Sequence, residues 1–265
     1  MRGHLRGLAI LTLAVIFISS CTYKRKSADV VIWQLSEPGV INPVTAADAV
    51  AYEIDNNVFQ PLLNFDYRTL KLVPVLADAL PEVKTDSAGR MFITYEIRKE
   101  AKWDNGTPIT AKDVEFTLKA ACNPNVNDAP LKSTLDLMSD LILYPDNPRK
   151  ITFVFKAKYN LAIETTGTNT AVLPEYIYDT KKYLEGFTFK QIHSDTSLAH
   201  DPKMVAFGND FNSEKYSRDT ATVNGSGAYQ LAEWTTGQRV VLKKKKNWWG
   251  DALQKENCFF EAYPD

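Results

Sequence analysis

The sequence predicts a mixed α/β fold, on three observations. Short β-branched and aromatic runs alternate along the chain with stretches whose apolar residues recur at helical spacing. Apolar residues make up 45% of the 265, ample for a packed core. No internal repeat and no long low-complexity linker interrupts the pattern, which excludes a repeat array and an all-β sandwich.

The elements follow in order. Arg2, His4 and Arg6 give a basic start, Leu8 to Ile18 is an uncharged apolar run, and Ser19, Ser20 and Cys21 follow. That order reads as a secretory signal; the run falls short of the ~20 apolar residues of a membrane-spanning helix. Ile18-Ser19-Ser20-Cys21 resembles a bacterial lipobox, so Cys21 is the expected lipidation site and residues 1–20 the cleaved peptide. An ordinary signal peptide with a coincidental cysteine is the alternative. Residues 21–28 read as a polar tether.

Asp29 to Leu35 reads as a strand, running into a loop at Ser36-Glu37-Pro38-Gly39. Thr45 stands three residues before Asp48 like a capping box, and Val50, Ile54 and Val58 continue as a helix ending near Phe59. Phe92 to Arg98 alternates as a half-buried strand, with Ile93, Tyr95 and Ile97 on one face. Asp104-Asn105-Gly106 is a turn, and Thr110 with Asp113 caps a helix to about Cys122. A polar loop spans Asn123 to Pro130, and Ile151 to Phe155 is a strand. Leu161 to Val172 suggests a helix entry broken at Gly167; Pro174 to Leu184 looks helical; Lys190 to Arg218 is long, polar and weakly periodic. Asn224-Gly225-Ser226-Gly227 is a tight turn before two strands, Tyr229 to Trp234 and Arg239 to Leu242; Asn257 to Tyr263 reads as a last strand.

With 31 basic and 32 acidic residues, nothing points to nucleic acid or an acidic polymer as partner. Cys122 and Cys258 are expected as unpaired, partly buried thiols. His193 and His200 are expected in a solvated loop, without the further ligands a metal needs. The run Lys243 to Lys246 is expected to be solvated. No cofactor is implied.

Four stretches carry a family resemblance. Ile41-Asn42-Pro43 with the helix to Phe59-Gln60-Pro61-Leu62 is similar to a Leu-Asp-Pro start and a helix ending Tyr-Glu-Gly-Leu; the Phe-Gln-Pro-Leu end departs from it. Pro74 to Leu80 is similar to Pro-x-Leu-Ala-x-Ser-Trp. Tyr95 to Val114 follows Phe-x-Leu-Arg-x-x-Val-x-Trp-His-Asp-Gly-x-Pro-Val-Thr-Ala-x-Asp-Val almost throughout. Asn224 to Leu231 is similar to Gly-Thr-Gly-Pro-Tyr-x-Leu, and Lys246-Asn247-Trp248-Trp249-Gly250 to the Asn-x-x-Tyr-Trp after it. Together these resemble the family 5 extracellular solute-binding proteins, the binding components of dipeptide, oligopeptide and nickel importers.

The resemblance implies a periplasmic-binding-protein-like fold of two lobes around a ligand cleft. Residues 29–41 and 161–265 would form the first lobe and 42–160 an inserted subdomain; the second lobe is expected to be missing from this chain. Joined to the lipobox, it implies a lipid-anchored monomer outside the cytoplasmic membrane, passing peptides or a related small solute to an ABC permease. Trp33, Ser36 and Glu37, the hydroxyl run containing Thr168, and Ser226 with Gly227 are the candidate ligand contacts. Glu37 could meet a ligand amine or be a solvated carboxylate, Trp33 could instead be core, Thr165 to Thr170 could be only a crossover loop, and Ser226 and Gly227 could lie at the cleft rim or only turn a hairpin. Trp103 is expected to pack under its turn. An enzyme is the competing class, but the chain has no G-x-S-x-G elbow and no HExxH; a sensing or scaffolding envelope lipoprotein, or a binder of nickel or oligosaccharide, is a further alternative.

Overall fold

A computed structural model describes residues 30–127 and 130–254. The Cys21 lipobox, Cys258 and the strand expected at 257–263 lie outside the described residues. Contacts divide the chain into residues up to Leu35 and residues from Ser36 onward. The strand expected at 29–35 does not form over 30–35, where Val30, Trp33 and Leu35 are exposed. β-propensity measures fit to a pleated surface, so without a partner strand it fixes nothing.

From Ser36 onward the first helix, α1, spans Ala49–Val58. Its cap is Asp48, which accepts the Ala51 N–H at 2.8 Å and the Gly39 N–H at 3.0 Å. Thr45 instead closes a turn on Asn42, because the Asn42 side chain captures the Val44 N–H and starts that turn earlier. Strands β1 (Leu63–Phe65) and β2 (Leu72–Pro74) pair antiparallel.

Next comes a four-stranded antiparallel sheet in the order β3-β4-β6-β5, from β3 (Glu82–Thr85), β4 (Met91–Glu96), β5 (Met138–Tyr144) and β6 (Asn147–Phe155). Met91, Ile93 and Tyr95 of β4 are buried, as their alternation requires. Helix α2 (Ala111–Cys122) covers that face with Val114, Leu118 and Ala121. Its capping box is built: Asp113 accepts the Thr110 N–H at 2.8 Å and the Thr110 hydroxyl at 3.1 Å. The sequence reading missed β5, whose register slips between Met138 and Asp140 and again near Tyr144, blurring its alternation.

After a short helix α3 (Pro130–Thr134) and the sheet, α4 (Ala162–Gly167) stops where a Cβ on Gly167 would stand 2.7 Å from Leu63. Helix α5 is only Glu175–Tyr178, shorter than the expected 174–184. The Asp179 carboxylate accepts the N–H groups of Tyr183 and Leu184 at 2.8 and 2.9 Å, folding the chain into a turn with Lys182 at φ +55°. The polar stretch 190–218 is ordered as α6 (Phe189–Ser194), α7 (Pro202–Phe211) and two 3-10 turns at Thr196–His200 and Glu214–Tyr216. Asparagine side chains dock it: Asn123 Nδ2 donates to Met204 O at 3.3 Å, Asn125 Nδ2 to Ala199 O at 3.2 Å, and Asn212 Nδ2 to Asn125 O at 2.9 Å. His193 therefore sits on a helix, stacked on Phe189 at 5.2 Å, rather than in a solvated loop. His200 ends its 3-10 turn and is exposed. A hairpin, β7 (Tyr229–Thr235) and β8 (Arg239–Lys244), follows, with a short α8 (Asp251–Gln254).

Candidate functional site

The stretches that look alike in sequence meet at one junction. Tyr95 to Val114 supplies Trp103, buried beneath its turn, whose Nε1–H donates to Asp113 at 3.2 Å. Asp104, at the tip, accepts the Asn224 side-chain amide at 2.7 Å and the Lys245 ammonium at 3.0 Å. Lys245 also donates to Gly225 O at 2.6 Å. Its side chain is 6% exposed, so the expectation of a solvated run fails at this one lysine. Desolvation lowers its pKa, and Asp104 opposes that shift.

The 224–227 turn is clasped from both sides. Trp248 and Trp249 both donate their indole N–H to Ser226 O, at 2.8 and 3.0 Å. Gly227 N–H donates to Val58 O at 2.9 Å, at the end of α1. A Cβ at Gly227 would lie 2.3 Å from Asn57 O, and one at Gly225 2.4 Å from the Phe59 ring. Only glycine permits so close a backbone approach. Arg98 joins the second stretch to the last, donating twice to Ala77 O (3.2 and 2.9 Å) with its guanidinium 6.0 Å from the Trp249 ring. Ser226 is buried, with a hydroxyl lacking a partner among the described residues. Ser226 and Gly227 thus sit inside a packed junction.

Glu37 is engaged elsewhere. Its Oε1 accepts the Trp234 indole N–H at 2.5 Å and Arg218 Nη2 at 3.1 Å, and its Oε2 accepts the Gly237 N–H at 3.0 Å. Arg218 stacks on Trp234 at 4.1 Å and donates to Thr236. Glu37 is thus neither free nor merely solvated: it latches the 36–39 loop to the hairpin tip. The Trp234 and Gly237 bonds, with Arg218, lower its pKa. Because the folded-state pKa lies below the unfolded one, the latch contributes fully above the ordinary carboxylate range and is lost as pH falls through the lowered value. We predict that the Trp234 indole N–H resonance moves during acid titration of the native chain and stays flat in Glu37→Gln; equal titration in both would contradict the latch.

Thr168 ends α4, its hydroxyl donating to Glu164 O at 2.9 Å, with Asn169 Oδ1 at 3.1 Å as the competing acceptor. Its neighbours Thr165, Thr166 and Thr170 are buried, and Thr166 bonds the Tyr95 hydroxyl at 2.8 Å. Ser36 is exposed. No structural contact unites Glu37, Thr168 and Ser226 in one pocket among the described residues. Cys122 is an unpaired, buried thiol whose pKa burial pushes up to about 12, which leaves it unreactive. Among the described residues no three His, Cys, Asp or Glu side chains gather to hold a metal.

This assembly defines a class, the periplasmic-binding-protein-like fold, of which the chain carries part. The model of the bacterial extracellular solute-binding proteins, family 5 Middle, matches residues 71–262, and the chain belongs to that family. Protein XP55 of Streptomyces lividans is 29% identical over 224 residues, covering 84% of this chain and 33% of that protein. The oligopeptide-binding protein AppA of Bacillus subtilis is 22% identical over 276 residues, covering 97% and 44%. Among solved structures, the oligopeptide-binding protein of Thermus thermophilus, complexed with pentapeptide, aligns with a TM-score of 0.59 at 22% identity, over 80% of this chain and 36% of that one. The chain spans between a third and under half of the length of these relatives.

Proposed function

We propose that this chain is part of a lipid-anchored solute-binding protein that captures peptides outside the cytoplasmic membrane and delivers them to an ABC permease, without chemistry on the ligand. The family match over 71–262 carries this reading. The names of similar proteins, oligopeptide-binding protein AppA and periplasmic oligopeptide-binding protein OppA of Escherichia coli, favour peptides over nickel or oligosaccharide. We assign 29–41 with 161–265 to the first lobe and 42–160 to the inserted subdomain. The 224–227 junction and the Glu37 latch are proposed to hold one cleft wall in shape. Trp33 and Ser36, both exposed, and Thr168, half-buried, are the candidate ligand contacts. Extended peptide would bond through its backbone, as in strand addition.

Anchoring at Cys21 supplies a direct test. The protein expressed with its own leader should partition into detergent and incorporate labelled fatty acid, and Cys21→Ser should abolish both. A ligand retained through purification and released on denaturation should be peptide by mass spectrometry. Release of a nickel complex or a sugar would replace peptide with that solute. A Cys21→Ser protein that still partitions into detergent would remove the anchor from the proposal.

A further inference from the structure

Asp55 stands on α1 three residues before Val58 and is 3% exposed, yet neither of its carboxylate oxygens has a hydrogen-bond partner among the described residues. Buried polar groups are almost always paired, so an orphaned carboxyl needs its own explanation. Among the described residues no positive charge acts on it. On its own helix the charged group acting on it is Asp48, and Tyr52 lies within its field. From α5, Tyr178 approaches, fully buried, with a hydroxyl that also lacks a partner; the Asn224 N–H faces that hydroxyl without closing a normal bond. Behind Tyr178 stands Tyr216, at 5.2 Å between ring centroids. Lys215 is committed to the Tyr216 hydroxyl at 2.8 Å, and Lys245 to Asp104 and Gly225.

The position matters because of what α1 holds. One turn further on, Val58 O receives the Gly227 N–H, and Asn57 O and Phe59 press on the two glycines. We propose that Asp55 is a proton-operated catch between α1 and the 224–227 turn. With its proton the carboxyl stays tucked beside Tyr178; without it the carboxylate is drawn toward water and the seat of the turn loosens. Burial, and secondarily Asp48, raise the Asp55 pKa well above the ordinary carboxylate value. The sign follows: the folded state holds its proton more tightly than the unfolded state. Stability therefore falls as pH climbs from about 4 toward the raised value, and levels off above it.

Native-state hydrogen exchange on the whole chain tests this through the Gly227 amide and the indole N–H groups of Trp248 and Trp249. After correction for intrinsic exchange, their protection should fall by up to about tenfold per pH unit as pH rises through that window. Asp55→Asn should make protection independent of pH there. Asp48→Asn, which keeps a capping side chain, should level the fall at a lower pH by removing the like charge. Matching pH profiles in wild type and Asp55→Asn overturn the proposal. Should Asp55→Asn fail to fold, an Asp48→Asn profile unchanged from wild type overturns it equally.

Discussion

Asp104→Ala is expected to destabilise the fold by about 3 kcal/mol, while Lys245→Met costs about 1 kcal/mol or less. The asymmetry comes from burial. Lys245 is 6% exposed in its side chain and Asp104 37%. Removing the carboxylate strands an ammonium in the interior and also frees the Asn224 amide, which loses its 2.7 Å partner. Removing the ammonium leaves Asp104 able to turn to water, and methionine retains the apolar stem. Breaking a buried pair from one side costs about 3–5 kcal/mol, and the partial exposure of Asp104 places this pair at the lower end. The double variant should cost less than the sum of the two single changes, exceeding Lys245→Met by the lost Asn224 bond, because both single changes break the same ion pair. Urea unfolding of the four proteins measures this; equal losses in the two single variants would show that Lys245 is not held by Asp104.

Gly227→Ala should cost about 3 kcal/mol, at the upper end for overpacking. The added methyl would stand 2.3 Å from Asn57 O and 2.8 Å from two atoms of Val58, all backbone at the end of α1, with no flexible side chain to yield. Gly225→Ala should be similar, against Val58 O at 2.5 Å and the Phe59 ring. Gly237→Ala provides the contrast. It has nothing within 4 Å and a φ of +67°, so only backbone strain of about 1 kcal/mol is added. Thermal or urea midpoints of the three variants separate close packing from conformation. A Gly227→Ala protein no less stable than Gly237→Ala would mean that the turn does not rest on α1.

What was legible in the sequence was local. Helix 111–122 carries its own cap in Thr110 and Asp113, β4 its alternation, and the β7–β8 hairpin its Gly237 turn. Order across 189–216 had usable signals that overall polarity concealed. Thr188 and Gln191 form a capping box, and Asp201 caps α7 with Pro202 in its first turn. Other features are non-local, and no window of sequence contains them. Lys245 looks like its neighbours until it meets Asp104, 141 residues away. Glu37 finds Trp234 at a separation of 197. The strand expected at 29–35 fails in the opposite way, since its residue types suit a sheet but residues 30–35 form no strand. The family motif marked the fold more than the ligand, because Trp103, Asp104, Gly225 and Gly227 serve the junction.

The central claim, solute binding, is tested most directly by thermal unfolding of the complete gene product in the presence of peptide libraries, a nickel–histidine complex and oligosaccharides. A ligand that binds only the folded state stabilises it by about 2.7 kcal/mol at a hundredfold excess over Kd, and so raises the melting temperature with its concentration. Peptides are predicted to produce that rise and to be recovered unchanged. No rise with any solute, or conversion of the added peptide to products, would contradict the account.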